Sequence, residues 1–207
     1  FNAREWLRSE MRIMLEEEIA RAILVGDGRI GGTDGSIPEA NIRPIWKDNP
    51  LYTVTATFSP SATDDESTIA KMAIRAVIKS RKNYKGSGSP MFFTTEDVLT
   101  DMLLIEDTTG RVIYDTEEKL RTALRVSRIV TVPVMENLTR VVGGKTHSLW
   151  GVIVNLNDYN VGTSQGGQIT NHEQFDIDYN RQKYLIETRL SGALIRPYSA
   201  IAVEMVN

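Results

Sequence analysis

The feature that most constrains this chain lies at its start: no glycine or proline interrupts it from Asn2 to Val25, and Gly26 then ends the run. Asn2 followed by Glu5 has the spacing of a capping box, in which the cap side chain and the fourth residue satisfy each other's orphan backbone donors. Arg12 with Glu16, and Glu17 with Arg21, stand four apart on exposed faces. The spacing predicts one helix over 2–25, about 35 Å long at 1.5 Å per residue. Leu7, Met11, Met14, Leu15, Ile19, Ala22 and Ile23 line one broad apolar face of it.

Beyond Gly26 the pattern changes. Glycine, proline and asparagine punctuate 26–50, after which Tyr52 to Phe58 alternates as a half-buried strand does. A helix is expected over 64–83, acidic at its start and basic at its end as the helix dipole favours. Gly86 to Pro90 (GSGSP) breaks the chain, and Met91 to Phe93 reads as a short buried strand. Thr94 with Asp97, and Asp115 with Glu118, are expected to cap two further helices ending at Leu104 and Arg125. Ile129 to Met135 reads as a strand with Pro133 marking an edge or bulge. From His147 onward the segments HSLWGVIVNL, QFDIDYNRQKYLIETRLSG and ALIRPYSAIAVEMV read as strands or extended pieces. Helices and strands mix in the middle and the end is mostly β, which is an α+β order rather than a regular βαβ winding.

Composition narrows the chemistry. The chain has 207 residues, no cysteine, two histidines and a formal net charge of −3. There is therefore no disulfide framework, no thiolate nucleophile and no sulfur-ligated zinc site, and histidine metal chemistry has little to work with. Acidic and basic residues mix along the chain, so nucleic acid is not expected as a direct ligand, least of all a sequence-specific one. No apolar run reaches the roughly 18–20 residues that span a bilayer, and no membrane partner is expected. The chain begins with Phe1 rather than Met, and the expectation is that it starts inside a longer product.

Several motifs invite a functional reading. GDGRIG (Gly26 to Gly31) matches the dinucleotide-binding glycine pattern, but it follows a helix instead of a strand, so a helix-ending turn explains it better. His147 and His172 have no metal-ligand spacing. The carboxylate pairs at Asp64/Asp65, Glu16 to Glu18 and Glu117/Glu118 fit helix starts or solvated faces. Glu187 and Arg189 alternate on a strand, and structural or interface pairing is the expected cause. By its residues alone this is an α+β protein with no visible catalytic site, no metal site and no cofactor, which favours a binding or building role.

Four segments taken together carry a resemblance: AILVGDGR at the end of the long helix, SPMFFTTEDVLTDMLLIEDTTGRVIY, VSRIVTVPVM, and YLIETRLSGALIRPYSAIAV. In their order and spacing they resemble the major capsid proteins of tailed bacteriophages, the Hong Kong phage fold. The resemblance covers nearly the whole chain. It implies a long spine helix, a peripheral domain over 1–50 and 165–195, and an axial domain over 51–164 and 196–207. It makes Leu7, Met11, Leu15, Ile19 and Ile23 the packing face of the spine helix, and Gly26, Asp27 and Gly28 the turn that ends it. A long strand over 169–190 is implied to return beneath that helix, so that Leu15→Asp should unfold the peripheral region.

The resemblance further implies a non-enzymatic shell subunit, assembling with copies of itself into pentamers and hexamers around a genome. Scaffolding, portal or decoration proteins are the further implied partners, and the virion, preceded by the host cytoplasm, is the implied location. Arg43, Glu187, Arg189 and Arg196 are implied subunit-contact charges. In relatives that form an isopeptide cross-link, Asn180 and Glu187 are the matching positions, with the glutamate buried. An N-terminal arm and a long hairpin, the E-loop, precede the spine helix in that family, and the reading expects a chain core without them. Two rivals remain at this point: an encapsulin-like nanocompartment shell protein, and a nucleotide-binding enzyme using the glycine-rich loop at 26–31.

Overall fold

The computed structural model describes residues 2–30, 38–107, 109–163 and 169–206. The chain forms two compact units, one of residues 1–44 and 161–193, the other of 45–160 and 194–207. The sequence placed the first division at 50/51; the second unit instead begins at Ile45, because Ile45 and Trp46 are buried within it. The expected division at 164/165 falls outside the described residues.

The first unit is built on α1 (Ala3–Val25), whose start is capped as its sequence requires: Asn2 Oδ1 accepts the Glu5 N–H at 3.5 Å. The chain leaves the helix at Gly26 in an extended conformation, with φ −52° and ψ 166°. A side chain there is excluded by space, since a Cβ would lie 2.5 Å from the Ala22 carbonyl oxygen and 2.7 Å from Glu39 Oε2. Gly28 takes φ +69°, the left-handed region glycine supplies at least cost.

The returning segment differs from its expectation. Instead of one long strand over 169–190 the structure has a hairpin, with strands of Thr170–Asp176 and Arg181–Glu187 pairing antiparallel. The reason is local: Asn180 adopts φ +48° in the intervening turn, and asparagine tolerates that region better than most side chains. Arg8 of α1 donates to Glu173 of this hairpin. Within the unit Ile42 bridges to Gly192, and the Arg43 N–H bonds the Gly192 carbonyl at 2.8 Å.

In the second unit come β1 (Thr53–Phe58), α2 (Glu66–Ser80) with a 3-10 turn over Arg81–Asn83, β2 (Met91–Thr94), α3 (Glu96–Leu103), α4 (Glu117–Leu124), β3 (Arg128–Thr131), β4 (Thr139–Val142) and β5 (Lys145–Val154). The chain continues through β6 (Tyr159–Thr163), the hairpin strands β7 and β8 just described, β9 (Leu190–Leu194) and β10 (Ala200–Val206), with β6 and β9 paired to each other. The main sheet runs β1-β10-β5-β2-β3, with β4 also on β5. Its two ends, β1 on β10 and β2 on β3, pair parallel, while β5 is antiparallel to both β10 and β2.

Two helix starts differ by one residue from expectation. Thr95 rather than Thr94 caps α3, and Thr116 rather than Asp115 caps α4. Thr94 is held in β2, where its hydroxyl donates to the Trp150 carbonyl at 2.7 Å. Pro133 opens a 3-10 turn over Pro133–Met135 after the short β3, because a residue without an N–H cannot extend the ladder. The core lies where α2, α3 and α4 cover one face of the sheet: Ala73, Val77, Met102, Leu120 and Leu124 meet Phe92, Ile153 and Ile201, all buried. Phe58 and Trp150 pack edge-to-face with ring centroids 5.1 Å apart. The middle strands β5 and β10 are buried over 149–154 and 200–204, where their sequences are nearly all apolar.

Candidate functional site

The arrangement that stands out is surface left apolar rather than a cleft of converging polar groups. On α1 only Ala22, Leu24 and Val25 are buried. Leu7, Met11, Leu15, Ile19 and Ile23, expected to pack, are each half-buried, and Trp6, Ile13 and Met14 are exposed, Met14 at 61%. The cause is geometric: a two-stranded hairpin is too narrow to cover the apolar residues spread around a helix of 23 residues. The hairpin itself exposes Phe175, Ile177, Tyr179 and Leu185, with Ile177 at 82%. On the second unit the β4–β5 hairpin ends in Gly143 and Gly144 and carries Val141 at 73% exposure. Apolar exposure grouped in this way marks interaction surfaces more often than chance.

Within the first unit Leu15, Ile19, Ala22, Pro38, Ile42 and Leu190 line a groove of about 300 Å³, with Glu18, Glu39 and Arg189 among its polar members. A buried ion cluster holds one wall. Glu39, 2% exposed, accepts from Arg21 and, at 2.9 Å, from Arg29, while its other oxygen accepts the Asp27 N–H at 3.3 Å. Glu18 accepts from Arg21 at 2.7 Å and from Arg29 at 3.0 Å. The hydrogen bond from Arg21 holds the Glu18 carboxyl below the usual carboxylate range, and burial works against it. The cluster thus fastens the Gly26, Asp27 and Gly28 turn to the helix it ends. Gly31, the last glycine of the GDGRIG motif, lies outside the described residues.

A second buried cluster lies in the other unit and was not picked out from the sequence. Glu204, fully buried on β10, accepts from Trp46 Nε1 at 2.6 Å, pairs with Arg140 at 2.7 Å and meets His147 Nδ1 at 2.8 Å. A bulge sets it there: Val203 pairs with Gly151 but Glu204 with Leu149, so Trp150 is the extra residue on β5. The signal was present in AIAVEMV, where one acid interrupts an apolar strand. His147, which has no metal-ligand spacing in the sequence, is buried in this cluster.

Arg43 and Arg189 are exposed, Arg189 lining the groove. Arg196 Nε lies 3.4 Å from Asp158, itself buried and accepting from the Ser87 N–H and hydroxyl at 2.6 Å each. Glu187 ends β8 with its side chain 44% exposed and 3.8 Å from His172, not buried as the cross-link reading requires. Asn180 sits in the hairpin turn, seven residues and about 23 Å along the strand from it, so one chain does not bring the two together. Among the described residues no group of three or more histidine, aspartate or glutamate side chains is placed to hold a metal ion, and no helix is long and apolar enough to cross a membrane.

No family model and no curated protein matches this sequence. Solved structures do. The capsid of an empty GTA particle, computed with C5 symmetry, superposes over 100% of this chain and 67% of its own at TM-score 0.62 and 10% identity. The capsid of the native GTA particle does so over 100% and 67% at TM-score 0.59 and 11% identity. A chain of Gordonia phage Cozz covers 96% of this chain and 62% of its own at TM-score 0.55 and 12% identity. The chain therefore spans about two-thirds of the length of the capsid chains it matches. Its mixed α and β architecture is the phage capsid fold.

Proposed function

We propose that a chain with the phage capsid fold and this surface is a structural subunit of an icosahedral phage or prophage shell, assembling with copies of itself around a genome. The observation that carries the reading is the superposition of the entire chain on a capsid chain at TM-score 0.62 and only 10% identity. The physics of the surface supports it. A shell subunit needs broad apolar and charged faces repeated by symmetry, so that weak contacts add to a stable assembly. The half-covered α1, the exposed hairpin of β7 and β8 and the apolar tip of β4 and β5 are such faces.

In this reading the unit of 1–44 and 161–193 is the peripheral domain with α1 as its spine helix, and the unit of 45–160 and 194–207 is the axial domain. Its role is non-enzymatic, and its place is the virion, reached from the host cytoplasm. Scaffolding, portal or decoration proteins would be further partners. Arg43 and Arg189 are exposed charges suited to subunit rims, and Arg196 and Glu187 lie near Asp158 and His172.

Negative-stain electron microscopy on the product of the full reading frame that encodes this chain tests the proposal. Closed shells or rings of five or six subunits are expected. A monomer at every salt and protein concentration, alone and with the neighbouring gene products, would overturn it. Shells loaded with an enzyme and free of nucleic acid would transfer the assignment to a nanocompartment.

A further inference from the structure

The near-neutral balance of the whole chain conceals a segment of one sign. From Ser67 to Thr95 there is no aspartate or glutamate, while Lys71, Arg75, Lys79, Arg81, Lys82 and Lys85 supply six cations. The structure puts most of these on one face. Arg75, Lys79 and Lys82 stand four and three residues apart along α2 and its 3-10 extension, and all three are exposed. Charges four apart on a helix repeat at about 6 Å. Lys85 is exposed just beyond, its backbone N–H bonded to the Tyr198 carbonyl at 2.8 Å and its Nζ 5.1 Å from the centre of the Tyr198 ring. Lys82 and Lys85 share a shallow hollow with Thr53, Thr55 and Tyr198.

Among the described residues Arg75, Lys79, Lys82 and Lys85 form no ion pair. Arg81, beneath them, stacks on Tyr84 at 4.6 Å and donates to the Arg125 carbonyl at 3.1 Å, but its Nη1 is buried without a partner. Burial and the neighbouring Arg125 push its guanidinium below the usual arginine range. Asp64, Asp65, Glu66 and Asp101 gather at the opposite end of the helix. Like charges at helical spacing weaken the helix that carries them, so the stripe is a cost to folding.

We infer that the exposed face of Arg75, Lys79, Lys82 and Lys85 is a sequence-independent contact for the phosphate backbone of duplex DNA. The inference rests on the shell reading, in which the DNA is the enclosed genome. A phosphate backbone needs cations and hydroxyl groups in regular array and no apolar centre. An acidic protein would want an apolar core to its interface, and among the described residues of α2 itself Ile78 is the one large apolar side chain left exposed.

The test is fluorescence anisotropy of a 30-base-pair duplex with the product of the full reading frame, titrated with salt. Four phosphate contacts predict a loss of affinity on the order of 100-fold between 50 and 200 mM salt, a log–log slope of about −3.6. Joint replacement Arg75→Gln, Lys79→Gln, Lys82→Gln and Lys85→Gln should bring that slope towards zero, with a melting temperature no lower than the parent's, since like charges are removed from the helix. The charge-keeping set Arg75→Lys, Lys79→Arg, Lys82→Arg and Lys85→Arg should bind as the parent does, as should Arg4→Gln with Arg12→Gln. A parent that does not bind at 50 mM salt, or a quadruple glutamine variant that keeps the parent's slope, overturns the inference. Displacement of the duplex by polyglutamate at equal charge would also overturn it, in favour of an acidic protein partner. Electron microscopy of the same samples separates the two readings. Shells without salt-dependent DNA binding remove this inference alone, and DNA binding without any assembly removes the shell reading.

Discussion

The two units of this chain bury their residues to different degrees. In the unit of 45–160 and 194–207, three helices cover a sheet whose middle strands are buried over 149–154 and 200–204. In the unit of 1–44 and 161–193, a helix of 23 residues buries three of them, and the hairpin beside it exposes most of its side chains. An isolated two-stranded hairpin is marginal in water, so the unit of 1–44 and 161–193 has less of its own core to hold it than the other. Under the shell reading the contrast separates folding from assembly: one unit is made stable by its own core, and the other would be completed by neighbouring subunits.

The sharpest way to break that comparison is to place a charge in each unit. Ile201→Asp, in the fully buried centre of β10, should unfold the subunit outright, since an unpaired buried carboxylate costs several kcal/mol, about the stability of a small domain. A cooperative thermal transition retained at 37 °C would show that the core is less closed than described. Glu204→Ala comes next. It leaves Arg140 and the Trp46 N–H without their acceptor in a dry site, at a cost of about 3–5 kcal/mol in chemical denaturation. A cost under 1 kcal/mol would mean that water replaces the carboxylate. Leu15→Asp should cost the folded subunit only about 1 kcal/mol, because Leu15 is half-exposed, yet abolish assembly seen by electron microscopy. Unfolding by that variant would restore the view of α1 as a buried spine.

That last case shows where the sequence could be read and where it could not. Helix α1 was legible because its signals are local: the Asn2 cap, the absence of glycine and proline, and the stop at Gly26. The same holds for α2 and for the buried run of β5. Which apolar residues are buried is not local. Met11, Leu15 and Ile19 form a stripe identical to one that faces a core, and only the width of the element packed against it decides their exposure. The hairpin was missed because the residues about its turn, DIDYN, read as continuing strand, and the departure rests on the backbone at Asn180. The Glu39 and Glu204 clusters join positions 18 and 158 residues apart, separations no spacing rule spans. The basic stripe on α2 was fully visible, and whole-chain charge balance obscured it.

A smaller effect sharpens the comparison through pH. In the first unit the hydrogen bond from Arg21 lowers the folded Glu18 carboxyl below its ordinary value of 4.5. Its contribution is therefore present above about pH 4.5 and is lost as pH falls through the depressed folded value. In the second unit the sign reverses. Burial first, then Glu66 and Asp97, raise the folded Asp101 carboxyl above its ordinary 3.8. Its contribution is full below about pH 3.8 and is lost as pH rises through the raised folded value, so ionised Asp101 is a burden at neutral pH. Acidification from pH 6 to pH 3.5 should thus loosen the turn after α1 while relieving the crowding between α2 and α3. Hydrogen exchange read residue by residue should show protection falling at Asp27 to Arg29 and rising at the start of α2. Glu18→Gln should remove the first change and Asp101→Asn the second, each without the other. Parallel movement of both regions with pH would mean that a shared unfolding step, not these two carboxyls, governs their exchange.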